Sequence, residues 1–85
     1  VVLAKDDSLS LDMLGWLLTL GARYDEARRM LQRALELDPQ NGSAHLHLGM
    51  LYMQTNDRAS AYDHFVKARD LGSKEAEMVL SQYFP

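Results

Sequence analysis

The histidines have the widest chemical range of any side chains in this sequence, and there are three of them: His45, His47 and His64. A metal site needs several His, Cys, Asp or Glu side chains that converge on one point. On a helix, His45 and His47 would point to nearly opposite sides because they are two residues apart. His64 belongs to another predicted helix. With no cysteine and no HExxH-like spacing, the sequence predicts no metal site.

Arrangements typical of catalysis are also missing from the sequence. No Ser/His/Asp constellation stands out, and there is no glycine-rich loop of the kind that holds phosphate. The adjacent carboxylates Asp6 and Asp7 are interpreted as solvated linker charge. We therefore predict that the chain is not an enzyme and requires no cofactor.

The charge of the chain argues against nucleic acid as a partner. The net charge is −3 and the isoelectric point is near 5.4, whereas a phosphate-binding surface needs a basic stripe. One basic cluster stands beside Asp25 and Glu26, and it consists of Arg23, Arg28, Arg29 and Arg33. Helical spacing predicts an ion pair between Asp25 and Arg29, so this cluster is interpreted as a salt-bridged, solvated face.

Membrane insertion is not predicted either. The apolar run from Met13 to Leu20 is less than half of the ~20 residues that a spanning helix needs. Asp12 and Arg23 lie close to its two ends, and Val1–Ala4 is too short for the core of a signal peptide. The apolar helix must therefore be buried by protein. Lack of cysteine leaves the compartment open, with the cytoplasm favoured.

The sequence repeats itself at the shift that carries Leu14 onto Leu48. Eight positions are identical at this one shift, and a period of this size is typical of a solenoid; the pairs are Leu3/Leu37, Leu14/Leu48, Gly15/Gly49, Leu17/Leu51, Ala27/Ala61, Ala34/Ala68, Leu37/Leu71 and Leu46/Leu80. Helical spacing of apolar residues predicts two helices per period. The predicted helices span about 9–21, 24–37, 43–55, 58–71 and 74–84.

Glycine inside a helix costs roughly 1 kcal/mol relative to alanine, so Gly15 and Gly49 need a compensating role. Small residues on both sides would let two helix backbones approach closely. We therefore predict that Gly15 lies at a crossing with Ala27, and that Gly49 lies at a crossing with Ala61.

These residues resemble the tetratricopeptide repeat family. The strings "LGWLLTLGARYDEARRMLQRALELDPQN" and "HLHLGMLYMQTNDRASAYDHFVKARDLG" are similar to two successive repeats. The resemblance implies an all-α fold, an α-solenoid of helix–turn–helix repeats wound as a right-handed superhelix. The predicted repeats are 8–41 and 42–75, preceded by the tail of an earlier repeat or a linker (1–7) and followed by a partial third repeat or capping helix (76–85).

The resemblance also implies that the first helix of each pair lines a concave groove. Eight residues are predicted to bind a partner there: Asp12, Met13, Trp16, Leu20, Leu46, His47, Met50 and Met53. An apolar groove would suit a peptide or helix of another protein, held by apolar anchors. The function predicted is a protein–protein interaction scaffold. The opposing interpretation of Trp16 is that it packs between adjacent repeats.

Self-assembly is the alternative function, because a chain with two complete repeats should expose apolar surface at its ends. The predicted exposed residues are Val1, Val2 and Leu3 at one end, and Val79, Tyr83 and Phe84 at the other. End-to-end association or helix exchange would bury them and form a homo-oligomer.

Overall fold

The computed structural model describes residues 7–85, which form five helices and no strand. The helices are α1 (Ser8–Leu20), α2 (Tyr24–Leu37), α3 (Gly42–Gln54), α4 (Arg58–Asp70) and α5 (Lys74–Tyr83). The predicted all-α helical-repeat fold is confirmed, and the helix ends differ from the predicted ones by no more than one residue. The predicted tail, with Val1, Val2 and Leu3, lies outside the described residues except for Asp7. The division into repeats stays a prediction.

Side-chain caps fix where four of the five helices begin. In each case the capping side chain accepts a hydrogen bond from a backbone N–H in the first turn, which satisfies a donor that the helix leaves free. The capping residues are Asp7, Asn41, Asp57 and Ser73. Helix α2 has no such cap; instead, the Arg23 side chain preceding it pairs with Glu26.

Three of the connections between helices are tight turns with one left-handed residue each: α1–α2, α3–α4 and α4–α5. Ala22 and Asn56 both have φ of 62°, and Gly72 has φ of 101°. Helix α1 ends before Gly21, which keeps a φ of −85°, and the left-handed conformation of this turn falls on Ala22. Ala22 and Asn56 occupy equivalent positions in the sequence repeat. The two turns therefore share one backbone geometry although their sequences differ.

The helices of each pair run antiparallel and cross at a glycine. The Ser8 hydroxyl at the start of α1 donates to the Ala34 carbonyl near the end of α2, at 2.9 Å. A Cβ added to Gly15 would lie 2.5 Å from Leu31 Cγ, and one added to Gly49 would lie 2.6 Å from Phe65 Cε1. The Gly15 site also lies 3.3 Å from the Ala27 carbonyl oxygen, as the predicted crossing requires, whereas the nearest atoms at Gly49 all belong to Phe65 and its predicted contact with Ala61 stays a prediction.

The core continues from one helix pair into the next. Leu48 and Leu51 of α3 are buried against Ala27 and Leu31 of α2. Helices α1 and α3 also lie side by side, so α3 contacts both helices of the first pair. The resulting molecule is elongated, with dimensions of 44 × 26 × 16 Å.

The helix α5 departs from the register of the sequence repeat. The shift that carries Leu14 onto Leu48 would carry the cap Asn41 onto Glu75, yet α5 is capped by Ser73. Helix α4 is one residue shorter than α2, and the connection before α5 is one residue shorter than the one before α3. The buried residues Ala76 and Leu80 therefore take the places of Ala44 and Leu48. The sequence identity between Leu46 and Leu80 does not correspond to equivalent positions in the fold.

Aromatic packing closes the C-terminal end. The Phe84 ring lies 6.0 Å from the Phe65 ring, and the Arg58 guanidinium lies 4.5 Å from the Phe84 ring centroid. Phe84 and Val79 both pack against the core. They are thus partly buried rather than fully exposed, whereas Tyr83 is 54% exposed, and end-to-end association stays a prediction.

No helix among residues 7–85 is both long enough and apolar enough to pass through a lipid bilayer.

Candidate functional site: a groove along α1, α3 and α5

Helices α1 and α3 run in the same direction at the face where the predicted binding residues lie. Asp12 of α1 meets His47 of α3, and one turn further along Trp16 and Met50 line a common cleft. A further turn brings Leu20 beside Gln54. The parallel arrangement follows from the repeat, since α2 returns the chain before α3 begins.

A buried hydrogen bond ties these two helices together. Asp12 is only 3% exposed, and its Oδ1 accepts from His47 Nδ1 at 2.6 Å. A carboxylate buried this deeply needs a partner, and the protonated Nδ1 of His47 supplies it. The bond fixes the orientation of the imidazole ring.

The Trp16 indole stacks on the ring that Asp12 holds. The centroids of the Trp16 and His47 rings are 4.6 Å apart and the ring planes differ by 14°. Trp16 therefore packs between adjacent repeats, as the opposing interpretation expected, and remains partly exposed. Its accessible edge lines a cleft, so the same residue belongs to both the packing and the groove.

The groove contains two apolar clefts that share residues. The first, which we call the α1–α3 cleft, has a volume of 210 Å³ and is lined by Trp16, Thr19, Leu20, Tyr24, Met50 and Gln54. The second, the α3–α5 cleft, has a volume of 490 Å³ and is lined by Met50, Met53, Gln54, Phe65, Val79, Gln82 and Tyr83. Because Met50 and Gln54 line both clefts, the two form one continuous trough.

A polar cleft of 350 Å³ lies toward the N-terminal ends of α3 and α5. Its side chains include the hydroxyls of Ser43 and Ser73, the His47 ring and the Glu75 carboxylate. The groove thus has an apolar half and a polar half, with His47 between them.

The eight predicted residues divide into three groups in the structure. Trp16, Leu20, Met50 and Met53 line the apolar clefts, and His47 and the largely buried Leu46 line the polar one. Met13 is exposed outside the linings of these clefts. Asp12 is buried, so it supports the groove from beneath rather than offering surface to a partner.

Several residues that line the apolar clefts were not predicted from the sequence to belong to the groove, and Tyr24 and Gln82 are two of them. Tyr24 begins α2, and the short turn after α1 places its side chain beside the end of α1. Gln82 lies on α5 and reaches the α3–α5 cleft. Assignment of the groove to first helices alone could have found Gln82, but it could not have found Tyr24, since Tyr24 belongs to a second helix.

Comparison with known families decides the classification. A family model described as tetratricopeptide repeat matches residues 20–82. The chain belongs to the tetratricopeptide repeat family. No curated protein and no solved structure gives a significant match. Tetratricopeptide repeats generally mediate protein–protein interactions and are typically non-catalytic scaffolds.

The outer side of this tetratricopeptide repeat chain carries the basic cluster predicted to be salt-bridged. Arg23 pairs with Glu26, and Arg33 lies 3.8 Å from Glu36. The predicted partner of Asp25 was Arg29, but its carboxylate pairs with Arg28 at 3.5 Å. A spacing of three residues is as suitable as four on a helix. Within residues 7–85, no group of three metal-ligating side chains converges.

His45 and His64 form a contact on another side of α3. The Nδ1 atoms of His45 and His64 are 3.1 Å apart, and the Tyr52 ring stacks on His64. One Nδ1 must donate and the other accept, so the contact requires at least one neutral imidazole. Burial, together with repulsion from His45 and Lys67, lowers the pKa of His64 from 6.5 to about 4. Burial also lowers the pKa of His45.

Acid should weaken this packing. In the unfolded chain His64 takes up a proton near pH 6.5, whereas in the folded chain it stays neutral until about pH 4. The contribution of neutral His64 to the free energy of unfolding is therefore fully present above pH 6.5, and it is lost as the pH falls from 6.5 to 4. We expect the urea midpoint to decrease from neutral pH to about pH 5, with a smaller decrease in His64→Phe, which keeps a ring against Tyr52. Equal decreases in the two proteins would contradict this assignment.

Proposed function

We propose that this tetratricopeptide repeat chain is a non-catalytic interaction module whose groove binds a peptide or helix of a partner protein through apolar anchors. The observation that carries the proposal is the continuous trough formed by the α1–α3 and α3–α5 clefts. Trp16 and Leu20 supply one wall, and Met50 and Met53 supply the floor between the clefts.

The side chains of the trough suit an apolar ligand. Methionine is flexible and polarisable, so Met50 and Met53 can adapt to anchors of different shapes. Trp16 offers a large flat surface that is already oriented by His47, and a pre-ordered aromatic residue loses little entropy on binding. These features favour one or two aliphatic or aromatic anchors spaced to reach both clefts.

The polar cleft adds a requirement for the partner. Glu75 is exposed, and the described residues that line this cleft include no lysine or arginine. A hydrogen-bond donor or cationic side chain, next to the apolar anchors, would complement the Glu75 carboxylate and the serine hydroxyls. A partner segment with apolar anchors followed by a basic residue therefore fits the groove best.

Truncation of Trp16 tests the proposal. Peptides selected by display against the chain would be titrated by isothermal calorimetry against wild type and Trp16→Ala. Loss of a central aromatic anchor costs about 2 kcal/mol or more, which corresponds to roughly 30-fold weaker binding. Tyr62→Ala is the matched control, because Tyr62 is an exposed aromatic residue of α4 that lines neither apolar cleft.

A second variant separates binding from folding. Trp16→Ala also removes the stack on His47, so its stability would be measured by thermal circular dichroism. Leu20→Glu places a charge at the mouth of the α1–α3 cleft, at a side chain that is 65% exposed, and should leave stability nearly unchanged. Peptides that bind Leu20→Glu and Trp16→Ala as tightly as wild type would refute the groove.

A further inference from the structure

Asn41 and Gly42 form a dipeptide whose chemistry the groove does not use. The side-chain amide of an asparagine can be attacked by the backbone nitrogen of the residue that follows it. Glycine hinders this attack least, because it has no side chain and its backbone is the most flexible. The other asparagine of the sequence, Asn56, precedes Asp57, whose side chain obstructs the same attack. Asn41 is therefore the asparagine whose sequence context most favours deamidation.

Both amide atoms of Asn41 are engaged in the fold. Its Oδ1 accepts from the Ala44 N–H at 3.0 Å, and its Nδ2 donates to the Ser8 hydroxyl at 2.9 Å. The Ser8 hydroxyl in turn donates to the Ala34 carbonyl, also at 2.9 Å. Asn41 is only 7% exposed, so its side chain joins the start of α3 to α1 and, through Ser8, to α2. Attack on Asn41 Cγ requires that the side chain leave these partners.

The packing of α3 explains why a glycine follows Asn41. A Cβ added to Gly42 would lie 3.2 Å from the Cβ of Leu71, which is tighter than an ordinary van der Waals contact. Leu71 follows directly on α4, so α3 begins against the end of that helix. The residue that allows this close approach is thus the residue that leaves Asn41 open to attack.

We propose that Asn41 is a site of spontaneous deamidation that the folded chain keeps closed, and that the modification proceeds through local opening of the start of α3. In the opened state the Gly42 nitrogen gives up its proton and bonds to Asn41 Cγ, while the Cγ–Nδ2 bond breaks and ammonia leaves. Water then opens the succinimide ring that has formed, to give either aspartate or isoaspartate. One water is consumed for each ammonia released, so the reaction needs neither an oxidant nor an enzyme.

The two products differ in their effect on the fold. Aspartate is as good an N-cap as asparagine, but its carboxylate cannot donate to Ser8, so the link to α1 weakens. Isoaspartate adds a methylene group to the backbone before Gly42 and removes the geometry of the cap. Because α1 and α3 line the groove, deamidation loosens the helices that carry Trp16 and Met50. The inference goes beyond the proposed groove, since it does not depend on any partner.

Deamidation of the whole chain at neutral pH would be followed by peptide mapping and mass spectrometry, since each event raises the mass by one dalton. Three samples are compared: native wild type, native Ser8→Ala and wild type in urea. We expect Asn41 to deamidate about fivefold faster in native Ser8→Ala than in native wild type, because loss of one hydrogen bond makes local opening more frequent by that factor. Deamidation should be fastest in urea, where no contact holds the side chain.

Two comparisons in urea test whether Gly42 is the attacking residue. Gly42→Ala should slow the deamidation of Asn41, and Asn56 should react more slowly than Asn41. Circular dichroism would confirm that Ser8→Ala keeps the helical fold. Equal rates in native wild type and in urea, or a rate in Ser8→Ala no higher than in wild type, would overturn the protection by the cap. No deamidation of Asn41 in urea, or a faster reaction at Asn56, would overturn the site itself.

Discussion

Replacement of Gly49 with alanine is expected to lower the free energy of unfolding by about 2 kcal/mol. The added Cβ would lie 2.6 Å from Cε1 and 2.9 Å from Cζ of Phe65, far inside van der Waals contact. Phe65 is fully buried, so its ring cannot move away without displacing the core between α3, α4 and α5. This strain exceeds the gain of roughly 1 kcal/mol that alanine brings to a helix.

Urea denaturation followed by circular dichroism measures the effect of Gly49→Ala. Gly21→Ala is the matched control, because the nearest atoms to its added Cβ are carbonyl oxygens at 3.6 and 3.7 Å and its φ is negative. We expect the control to be neutral or slightly stabilising. A Gly49→Ala protein as stable as wild type would mean that α3 and α4 do not cross at this point.

Removal of the His47 side chain is expected to lower the free energy of unfolding by about 3 kcal/mol, because it leaves a buried carboxylate without its hydrogen-bond partner. Asp12 accepts a hydrogen bond from His47 Nδ1, and among the described residues no buried side-chain polar atom lacks a partner. His47→Ala breaks that balance and also removes the ring beneath Trp16. Denaturation of His47→Ala would show the loss directly, and the fluorescence of Trp16, the only tryptophan, would report the altered packing.

A double-mutant cycle separates the buried charge from simple loss of packing. Asp12→Ala in the His47→Ala background removes the stranded carboxylate, so the double variant should be more stable than His47→Ala alone. The expected coupling is on the order of 1–3 kcal/mol. Additive losses would show instead that Asp12 and His47 contribute independently.

Function depends on this pair if the groove binds as proposed. The ring of His47 orients Trp16, and Asp12 holds the ring from a position with almost no contact with solvent. Prediction of groove residues from the pattern of the first helices placed Asp12 on the surface. Only its distant partner in the chain, His47 on the next repeat, explains why a carboxylate is buried at that position.

The local pattern of the sequence was sufficient to predict the helices and the close approach of neighbouring helices at the glycines. Apolar spacing, capping residues and the glycine–alanine pairs act within one repeat, so the sequence predicted five helices and the approach of Gly15 and Gly49 to their neighbours. The fifth helix was also predicted within one residue, but the constant shift of the repeat does not extend to it, because α5 begins two residues earlier in the repeat than α3 does. The sequence also gave no indication that Ala22 would be the left-handed residue of its turn, since that depends on how the two helices must close.

The sequence by itself determined the fold of this tetratricopeptide repeat chain, because a repeated pattern of apolar and small residues permits few ways to bury it. Tertiary structure alone decided which apolar residues remain exposed. Leu14 and Leu48 share a position in the repeat, yet Leu48 is buried by α2 while Leu14 has no described helix upon it. Exposure depends on which helices pack on a residue from outside its own helix, and the residue's position in the repeat does not record this.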